Sequence, residues 1–535
     1  MARVTIHPDP MLSRRAFLAT TSGALAGAAA CGLVGQAEAV KRHPQRGGTL
    51  RFATREDAAG LDPHRNTMYL VSIPLAATTQ GLIDLDLRSE PVPGIAEEWD
   101  VSPDLLTYTF KLRKGVLFHN GREVDAAAVQ WNFERIQDAK IAHPFTRSAL
   151  GNLKEVQAAD KYTLRCILQE PSAVFLADLV YYPCNLIAPD SVEQANMHPI
   201  GCGPFKFVKW ERNSIAEMVR FENYFETDAE GNNLPYLDSI IGRPKKEDQV
   251  RLTSLRAGEV DLIDNMAYTD AADFARKYAG KFQTWEIPTL GTSFFIFNLE
   301  KGPFTDKQLR LAAAHAIDRE AIKQAVFYGR GEIARGYYAP ASPWFTPGAK
   351  PWPEYDLDKA KAILRKAKAV GTEVILQSLN SYPYLHQTAE LVQHMWSEAG
   401  FKVTLNLYEA PVLNQKRRDR DFHADSTAGS YRWDPDNWFS RQILSTSPAN
   451  TINGSGFKHE KADKLIAEAR QTADKKKRLE IYSAVEGIVN DELPILYIHH
   501  LTALQAGAMN LQGYQPAISG PFSTRGGGIR TAWLA

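Results

Sequence analysis

Two nearly continuous apolar runs, about two hundred residues apart, constrain the fold of this chain more than any other feature. The first covers residues 293–298 and reads SFFIFN, and the second covers residues 495–501 and reads ILYIHHL. A strand that is buried on both faces has this pattern, whereas a strand with one solvated face alternates. We therefore predict two buried strands, and we interpret them as the places where the chain crosses between two domains.

Helical and strand patterns alternate around these runs. Helices are predicted at residues 306–328, 358–369, 384–399 and 459–490, and strands at residues 49–53, 105–112, 294–298, 373–379, 402–408 and 494–504. Asp125 is a good N-cap for a further helix, on which Val129, Phe133 and Ile136 share one face. The alternation predicts an α/β fold class.

The length and the net charge of the chain limit its domain organisation and its classes of partner. The chain has 535 residues, with 62 basic and 62 acidic side chains. That length predicts two or more domains. Because there is no net positive charge to release counterions from a phosphate backbone, we expect no nucleic-acid partner.

The N-terminus has the pattern of an export signal. Arg14 and Arg15 precede residues 16–37, which carry no charge, and a small-x-small site ends at Ala39. A basic start, a mildly apolar stretch and such a site are typical of a cleavable signal peptide, and the arginine pair resembles the twin-arginine signal. We predict that residues 1–39 are removed on export and that the mature protein is periplasmic.

Two other interpretations of this segment stay open. Residues 16–37 are long enough to span a bilayer, but their Ala and Gly side chains transfer only weakly into hydrocarbon. Cys31 follows three alanines, as in a lipoprotein, but Ala28 stands where a lipoprotein usually has a large aliphatic residue. We favour cleavage after Ala39 over both.

Motifs of catalysis and metal binding are missing from the sequence. It contains no HExxH, GxSxG, GxxxxGK[ST] or GxGxxG pattern. His499 and His500 are adjacent on a predicted strand and face opposite sides, so they do not readily share a metal. Asp434 and Asp436 offer a carboxylate pair, but the Asp-Pro-Asp-Asn sequence is also typical of a turn and N-cap, which we favour. We expect no metal and no cofactor.

The cysteines suggest at most one disulfide in the mature chain. Cys184 and Cys202 are 18 positions apart and flank a Pro-containing loop near turn residues. Because an exported protein meets an oxidising compartment, we predict a disulfide between these two. Cys166 lies in a strand pattern, where a buried free thiol is expected.

A long block of residues resembles a known family. The residues are Pro93–Trp99 (PGIAEEW), Thr107–Val116 (TYTFKLRKGV) and Phe118–Gly121 (FHNG), with shorter matches at 61–64 (LDPH), 201–205 (GCGPF), 297–298, 303–304, Arg310 and 316–319 (AIDR). In this order they resemble the peptide/nickel-type (family 5) extracellular solute-binding proteins of ABC importers, such as the dipeptide- and oligopeptide-binding proteins. The resemblance covers nearly all of residues 47–535.

The resemblance implies a two-lobed periplasmic-binding-protein fold with mixed sheets, whose hinge consists of two crossover strands. It implies that residues 40–290 form lobe 1 with an extra subdomain, that residues 291–500 form lobe 2, and that residues 501–535 return to lobe 1. Such proteins close on a small molecule or peptide and deliver it to permease subunits in the inner membrane. We expect the protein to be a monomer.

The resemblance also implies which residues line the cleft between the lobes. They are Tyr69, in the loop after the first strand, Thr292 and Ser293 at the first crossover, and Tyr431, Arg432 and Trp433 before the Asp-Pro pair. Dipeptide binders carry an Asp three residues before that pair, where this chain has Tyr431. We therefore predict that Arg432 binds an acidic or strongly hydrogen-bonding group of a ligand other than a free dipeptide, beside flat aromatic surfaces. The alternative is that Arg432 pairs with Asp434 or Asp436 at the surface and that Trp433 belongs to the core.

The predicted function is solute binding without catalysis. The alternative is an exported hydrolase that acts on peptides or glycosides, which needs a nucleophile-base pair or a carboxylate pair in the cleft. A periplasmic chaperone or signalling subunit with the same fold is a third, weaker interpretation.

Overall fold

The structure is a computed structural model that describes residues 43–58, 60–65, 77–346, 352–429, 432–518 and 528–535. The predicted signal peptide, with Arg14, Arg15 and Cys31, lies outside the described residues. Residues Gln45–Ala535 form one compact unit. We use the predicted boundaries as names, so that lobe 1 is residues 40–290 with 501–535 and lobe 2 is residues 291–500. The boundaries themselves stay a prediction.

Strands and helices alternate along the described chain. The strands are β1 Thr49–Thr54, β2 Ile83–Leu85, β3 Pro91–Pro93, β4 Ala96–Val101, β5 Thr107–Leu112, β6 Leu153–Asp160, β7 Thr163–Leu168, β8 Phe205–Glu211, β9 Ile215–Arg220, β10 Ser239–Pro244, β11 Leu262–Ile263, β12 Phe282–Phe297, β13 Glu332–Ile333, β14 Glu373–Leu379, β15 Lys402–Tyr408, β16 Ala424–Gly429, β17 Ile495–Ala508, β18 Leu511–Gln512 and β19 Trp533–Leu534. The α-helices are α1 Ala126–Gln137, α2 Pro144–Ala149, α3 Phe175–Leu179, α4 Asp248–Arg256, α5 Tyr268–Lys277, α6 Lys307–His315, α7 Arg319–Phe327, α8 Leu357–Lys366, α9 Pro383–Ala399, α10 Ala410–Arg418, α11 Asp436–Gln442, α12 Pro448–Asn453, α13 Glu460–Arg470 and α14 Lys475–Glu492. Short 3-10 helices cover Tyr182–Cys184, Pro189–Gln194 and Pro303–Thr305.

One mixed sheet runs through both lobes. Its strand order is β15-β14-β16-β12-β17-β11-β1-β10-β9-β8, and β13 pairs with β17 beside this path. The long strands β12 and β17 pair antiparallel from Phe282 with Ala508 to Ile296 with Ile495. They therefore join the lobe 1 strands on one side to the lobe 2 strands on the other. This arrangement confirms the predicted α/β two-lobed fold class with two crossover strands.

Several predicted elements differ from the structure in their bounds. Strand β12 begins at Phe282, well before the predicted residue 294. Residues 282–287 belong to the strand because they pair with the far half of β17, although they alternate between partly buried and exposed positions. The predictions of single helices at 306–328 and 459–490 were wrong. Each is two helices, because the side chains of Asp318 and Asp474 cap a new helix at Ala321 N (2.9 Å) and Lys477 N (2.7 Å).

A second sheet gives lobe 1 an additional layer. Its strand order is β4-β5-β7-β6, and helix α1 packs on it. The Asp125 side chain accepts a hydrogen bond from Ala128 N at 2.8 Å, which confirms the predicted N-cap. Val129, Phe133 and Ile136 are buried, as their shared helical face predicts.

The predicted disulfide between Cys184 and Cys202 is wrong for this structure, in which both residues are buried free thiols, as is Cys166. The Cys184 thiol donates to the Asp178 carbonyl (3.5 Å) and the Cys202 thiol to the Gln80 carbonyl (3.9 Å), so the two sulfurs have separate partners. Burial raises the pKa of all three thiols, which keeps them protonated and unreactive.

None of the described helices combines the length and the hydropathy that crossing a bilayer requires.

Candidate ligand-binding site

The two lobes meet where the segment after β16 packs against helix α3. The Trp433 indole of lobe 2 donates a hydrogen bond to the Ala177 carbonyl of lobe 1 at 2.6 Å. Its ring is buried against Leu85, Ala177 and Leu290, and its centroid lies 5.5 Å from that of Tyr181. Trp433 therefore joins the two lobes, whereas its contact with a ligand stays a prediction.

Further polar contacts surround this anchor. Ala173 N donates to the Arg470 carbonyl at 2.6 Å, and the Asn437 amide donates to Asp178 Oδ1 at 3.3 Å. Lys475 forms a half-exposed ion pair with Glu90 at 2.5 Å. Each of these contacts joins lobe 1 to lobe 2, so polar contacts as well as Trp433 hold the two lobes together.

The acids of the segment are engaged in structural contacts. Asp434 accepts two hydrogen bonds from Arg478, at 2.7 and 2.9 Å, and one from Asp436 N at 2.9 Å. Asp436 accepts from the hydroxyls of Ser440 and Tyr482. The contact from Asp436 N to Asp434 is that of a turn, which supports the turn interpretation over a catalytic pair. The predicted N-cap was wrong, because Pro435 precedes helix α11 and no side chain caps it.

Asp178 completes an acidic cluster from the lobe 1 side. Burial raises the pKa of this carboxyl well above its usual range, and the charges of Asp436 and Asp434 add to the rise, while Arg470 opposes it. Arg470 also lies 3.5 Å from Asp436. We call Asp178, Asp434 and Asp436, with the cations that hold them, the acidic cluster.

Two arginines, Arg432 and Arg441, lie in the same segment of chain as Trp433. The guanidinium of Arg432 is hydrogen-bonded to the Tyr181 hydroxyl across the two lobes. Arg441, near the end of α11, is close enough that burial and then the charge of Arg432 lower its pKa to about 10. Arg432 was predicted as a cleft cation, whereas Arg441 was not predicted.

Lobe 1 contributes to the same region. Burial lowers the pKa of His143, and the charges of Arg147 and Arg441 lower it further. His143 directly precedes helix α2 of lobe 1, and Arg147 lies within that helix, whereas Arg441 belongs to lobe 2. We call Arg147, Arg432 and Arg441 the arginine cluster.

Thr292 and Ser293 lie inside the hinge. Their side chains are buried where the pairing of β12 with β17 shifts register. The Thr292 hydroxyl donates to the Tyr337 carbonyl at 2.6 Å and lies 2.9 Å from His500 Nδ1, while Ser293 donates to the His499 carbonyl at 3.3 Å. These contacts stabilise the crossover strands. Contact of Thr292 or Ser293 with a ligand stays a prediction.

The adjacent histidines face different neighbours. The His499 ring stacks on Phe327 with centroids 3.8 Å apart, and the His500 ring lies beside Thr292. Burial lowers the pKa of each imidazole to about 3, so both are neutral at physiological pH.

The loop that contains Tyr337 and Tyr338 packs against the site, and this packing was not predicted from the sequence. Tyr337 stacks on Trp438 at 3.8 Å and 15°, and the Tyr338 hydroxyl donates to the Asp434 carbonyl at 2.8 Å. Tyr337 N donates to the buried carboxylate of Glu486 at 2.7 Å, and burial raises the pKa of Glu486 to about 7. The Tyr-Tyr pair is an aromatic signal, but nothing local in the sequence indicates that it packs on a helix a hundred residues later.

Two predicted cleft residues, Tyr69 and Tyr431, lie outside the described residues. The chain that leads to Tyr69 is held at Asp62 and His64, which belong to the LDPH match. Arg135 donates to both Asp62 oxygens, at 3.0 and 2.6 Å, and His64 Nε2 donates to the Asn185 carbonyl at 3.1 Å.

Comparison with known proteins decides the family. The sequence model of the bacterial extracellular solute-binding proteins, family 5, matches residues 90–451, which is more than half of the chain. The chain belongs to this family. As a family 5 solute-binding protein it is a substrate-binding component of an ABC importer, and its partners are a small solute or peptide and permease subunits.

Relatives of this family 5 protein differ in their solutes. The dipeptide-binding protein of Escherichia coli K12 is 28% identical over 506 residues, which cover 87% of this chain and 92% of the relative. A structure of AgaA from A. tumefaciens R10, in complex with agropinic acid, is 26% identical and has a TM-score of 0.78, covering 91% of this chain and 99% of the other. DppA from Helicobacter pylori, in complex with the peptide STSA, shares the fold at 23% identity and a TM-score of 0.79, covering 92% and 98%.

Proposed function

We propose that this protein captures a small polar solute between its lobes in the periplasm and releases it unchanged to a permease. The observation that supports the proposal is the contact between the lobes. One lobe 2 segment, residues 432–437, contacts lobe 1 through the Trp433 indole and the Asn437 amide, and it lies beside the arginine cluster. Closing the lobes therefore brings groups from both into one site, which is how a binding protein encloses a ligand.

The export route belongs to the same proposal. The pattern around Arg14 and Arg15 supports twin-arginine export with cleavage after Ala39. Replacing both arginines with lysine removes the guanidinium pair, so the precursor is expected to stay in the cytoplasm. Normal export of the double variant would contradict this part of the proposal.

Scattering and mass spectrometry test solute capture together. The protein is purified without denaturation, the retained small molecules are released by unfolding and identified, and each is added back to refolded protein. We expect a smaller radius of gyration with the solute, and an unchanged solute mass after long incubation. Solute at about 100 times its dissociation constant raises stability by about 2.7 kcal/mol.

Two results would contradict the proposal. Chemical conversion of the solute by pure protein would favour the exported hydrolase. A radius of gyration that does not change with any retained or added solute, together with no gain in stability, would favour a chaperone or signalling role.

A further inference from the structure

We infer that Glu486 is a positioning residue for solute binding, which holds the Tyr337–Tyr338 loop and through it aligns the hinge strand β12 with the interlobe segment. The interlobe segment is residues 432–438. The inference rests on the proposed function and deepens it, because it names the group that keeps these two parts of the site in a fixed relation. The sequence did not indicate a role for Glu486.

Glu486 holds the loop through both of its carboxylate oxygens, which are buried. One oxygen accepts a hydrogen bond from Tyr337 N at 2.7 Å, and the other accepts from the Thr346 hydroxyl at 3.1 Å. One turn later on helix α14, the Asn490 amide donates to the Arg335 carbonyl at 3.0 Å. Helix α14 therefore fixes the backbone of the loop at two points.

Two glycines provide the space that this position of the loop requires. A Cβ at Gly336 would overlap the Glu486 carboxylate, so only glycine lets the carboxylate reach Tyr337 N. The Tyr337 phenol packs against Gly429 at the end of β16, where a Cβ would lie 2.5 Å from the phenol oxygen. The loop thus fits closely between helix α14 and strand β16.

The loop contacts the hinge directly. The Tyr337 carbonyl accepts a hydrogen bond from the Thr292 hydroxyl at 2.6 Å. Thr292 lies where the pairing of β12 with β17 shifts register, at the crossover between the lobes. A displacement of the loop would therefore remove a buried hydrogen bond from the crossover.

The same loop contacts the interlobe segment. The Tyr337 ring stacks on Trp438 with centroids 3.8 Å apart, and the Tyr338 hydroxyl donates to the Asp434 carbonyl at 2.8 Å. Asp434 follows Trp433, whose indole donates to lobe 1 at the Ala177 carbonyl. Because apparent affinity falls when the binding-competent conformation is only partly populated, we expect release of the loop to weaken solute binding.

Hydrogen exchange of the unliganded protein tests the alignment without a solute. In Glu486→Ala we expect exchange at least about 5-fold faster at residues 335–338, at Thr292 and in the interlobe segment, which is the lower end of the effect of leaving a buried donor without its acceptor. Strand β5 belongs to the second sheet and should exchange as in the wild type.

Calorimetry well below the melting temperature tests the effect on binding, with the compound recovered from natively purified wild-type protein as the probe. Glu486→Ala should bind it at least about 5-fold more weakly. Glu486→Gln should bind within about 2-fold of the wild type, because the amide oxygen still accepts from Tyr337 N and the amide nitrogen donates to the Thr346 hydroxyl. Glu480→Ala removes an exposed acid from the same helix and, as the matched control, should change neither binding nor exchange.

Gly336→Ala tests the same contact while every hydrogen-bonding group stays in place. The added Cβ displaces the Glu486 carboxylate, so we expect the same loss of affinity as in Glu486→Ala. In the Glu486→Ala background, Gly336→Ala should have no further effect, because the group that it displaces is gone. If Glu486→Ala does not fold, Gly336→Ala decides.

Distinct results would overturn the inference. Unchanged affinity with a lower melting temperature in Glu486→Ala and Gly336→Ala would make Glu486 a purely structural residue, while solute capture stands. Faster exchange confined to residues 335–338 would show that the loop does not align the hinge with the interlobe segment. If the wild type itself binds no solute, the proposed function fails and the inference fails with it.

Discussion

The acidic cluster and the arginine cluster draw part of their residues from the same ten residues of chain, 432–441, which include Trp433. In the acidic cluster Asp434 and Asp436 are held by Arg478, Ser440 and Tyr482, so their charges are satisfied within the protein. In the arginine cluster positive groups face one another and two phenols. The acidic cluster is therefore a structural ion network, whereas an anionic ligand beside Arg432 stays a prediction.

The comparison also shows why charge alone is a poor guide to function. Asp434 and Asp436 look like a catalytic pair in the sequence, yet their partners are donors from α11 and α14. Arg441 looks like an ordinary helix residue, yet the fold places it beside Arg432. The partners of a charged side chain, which only tertiary structure shows, decide its role.

The largest expected effect is in the acidic cluster. Arg478→Met should lower the free energy of unfolding by about 3–5 kcal/mol, because it leaves Asp434 buried without its cation. Urea unfolding at neutral pH measures the loss. A change below about 1 kcal/mol would mean that Asp434 is not held as the comparison requires.

Trp433→Phe should have the next largest effect. It removes the indole donor and leaves the Ala177 carbonyl buried, at a cost of about 1–3 kcal/mol. Because that contact joins the lobes, we expect weaker solute binding as well as lower stability, both measured by calorimetry. Equal solute affinity in the variant and the wild type would contradict the role of Trp433 as an interlobe anchor.

Asp178→Asn should stabilise the protein in a pH-dependent way. The pKa of the Asp178 carboxyl is raised in the folded state, so its favourable contribution is complete below pH ~4, where the unfolded side chain titrates, and is lost as the pH rises towards the folded pKa. Asn has no such loss, so the stability advantage of the variant should grow steadily as the pH rises above about 4.

Unfolding curves above pH ~4 measure the Asp178→Asn effect, with Asp100→Asn at an exposed position of β4 as the control. The groups that face Asp178 are Asp434, Asp436, Arg470, Tyr108 and Cys184. An advantage that is constant with pH would show that the Asp178 carboxyl does not titrate differently in the folded protein.

The smallest expected effect is at the edge of the interface. Lys475→Gln removes a half-exposed ion pair with Glu90 and should change stability by less than about 1 kcal/mol. High salt should reduce the difference further. A loss of stability as large as that of Arg478→Met would mean that exposed ion pairs such as this one, rather than the buried clusters, hold the lobes together.

Much of the fold follows from local patterns in the sequence. The predicted strands at 373–379 and 402–408 match β14 and β15, and the apolar runs mark β12 and β17 correctly. The helix breaks at Asp318 and Asp474 were missed, because helical periodicity continues across a cap that only its hydrogen bonds reveal. The half of β12 before residue 293 was missed because its alternating polar residues look like an exposed edge.

The candidate site was predictable only in part. Arg432 and Trp433 were predicted because they occupy the family position before Asp-Pro, and their contact with a ligand stays a prediction. Arg147, Tyr181, Tyr337 and Arg441 come from four separate parts of the chain, so no sequence spacing brings them together. The predicted disulfide failed for a related reason, since spacing between Cys184 and Cys202 says nothing about where their sulfurs point.

A crystal structure of the protein with the solute that it retains through native purification tests the central claim most directly. The account predicts an unmodified solute between the lobes, with an acidic or strongly hydrogen-bonding group within about 3 Å of the Arg432 guanidinium. A chemically converted solute, or one that lies away from the contact between the lobes, would contradict it.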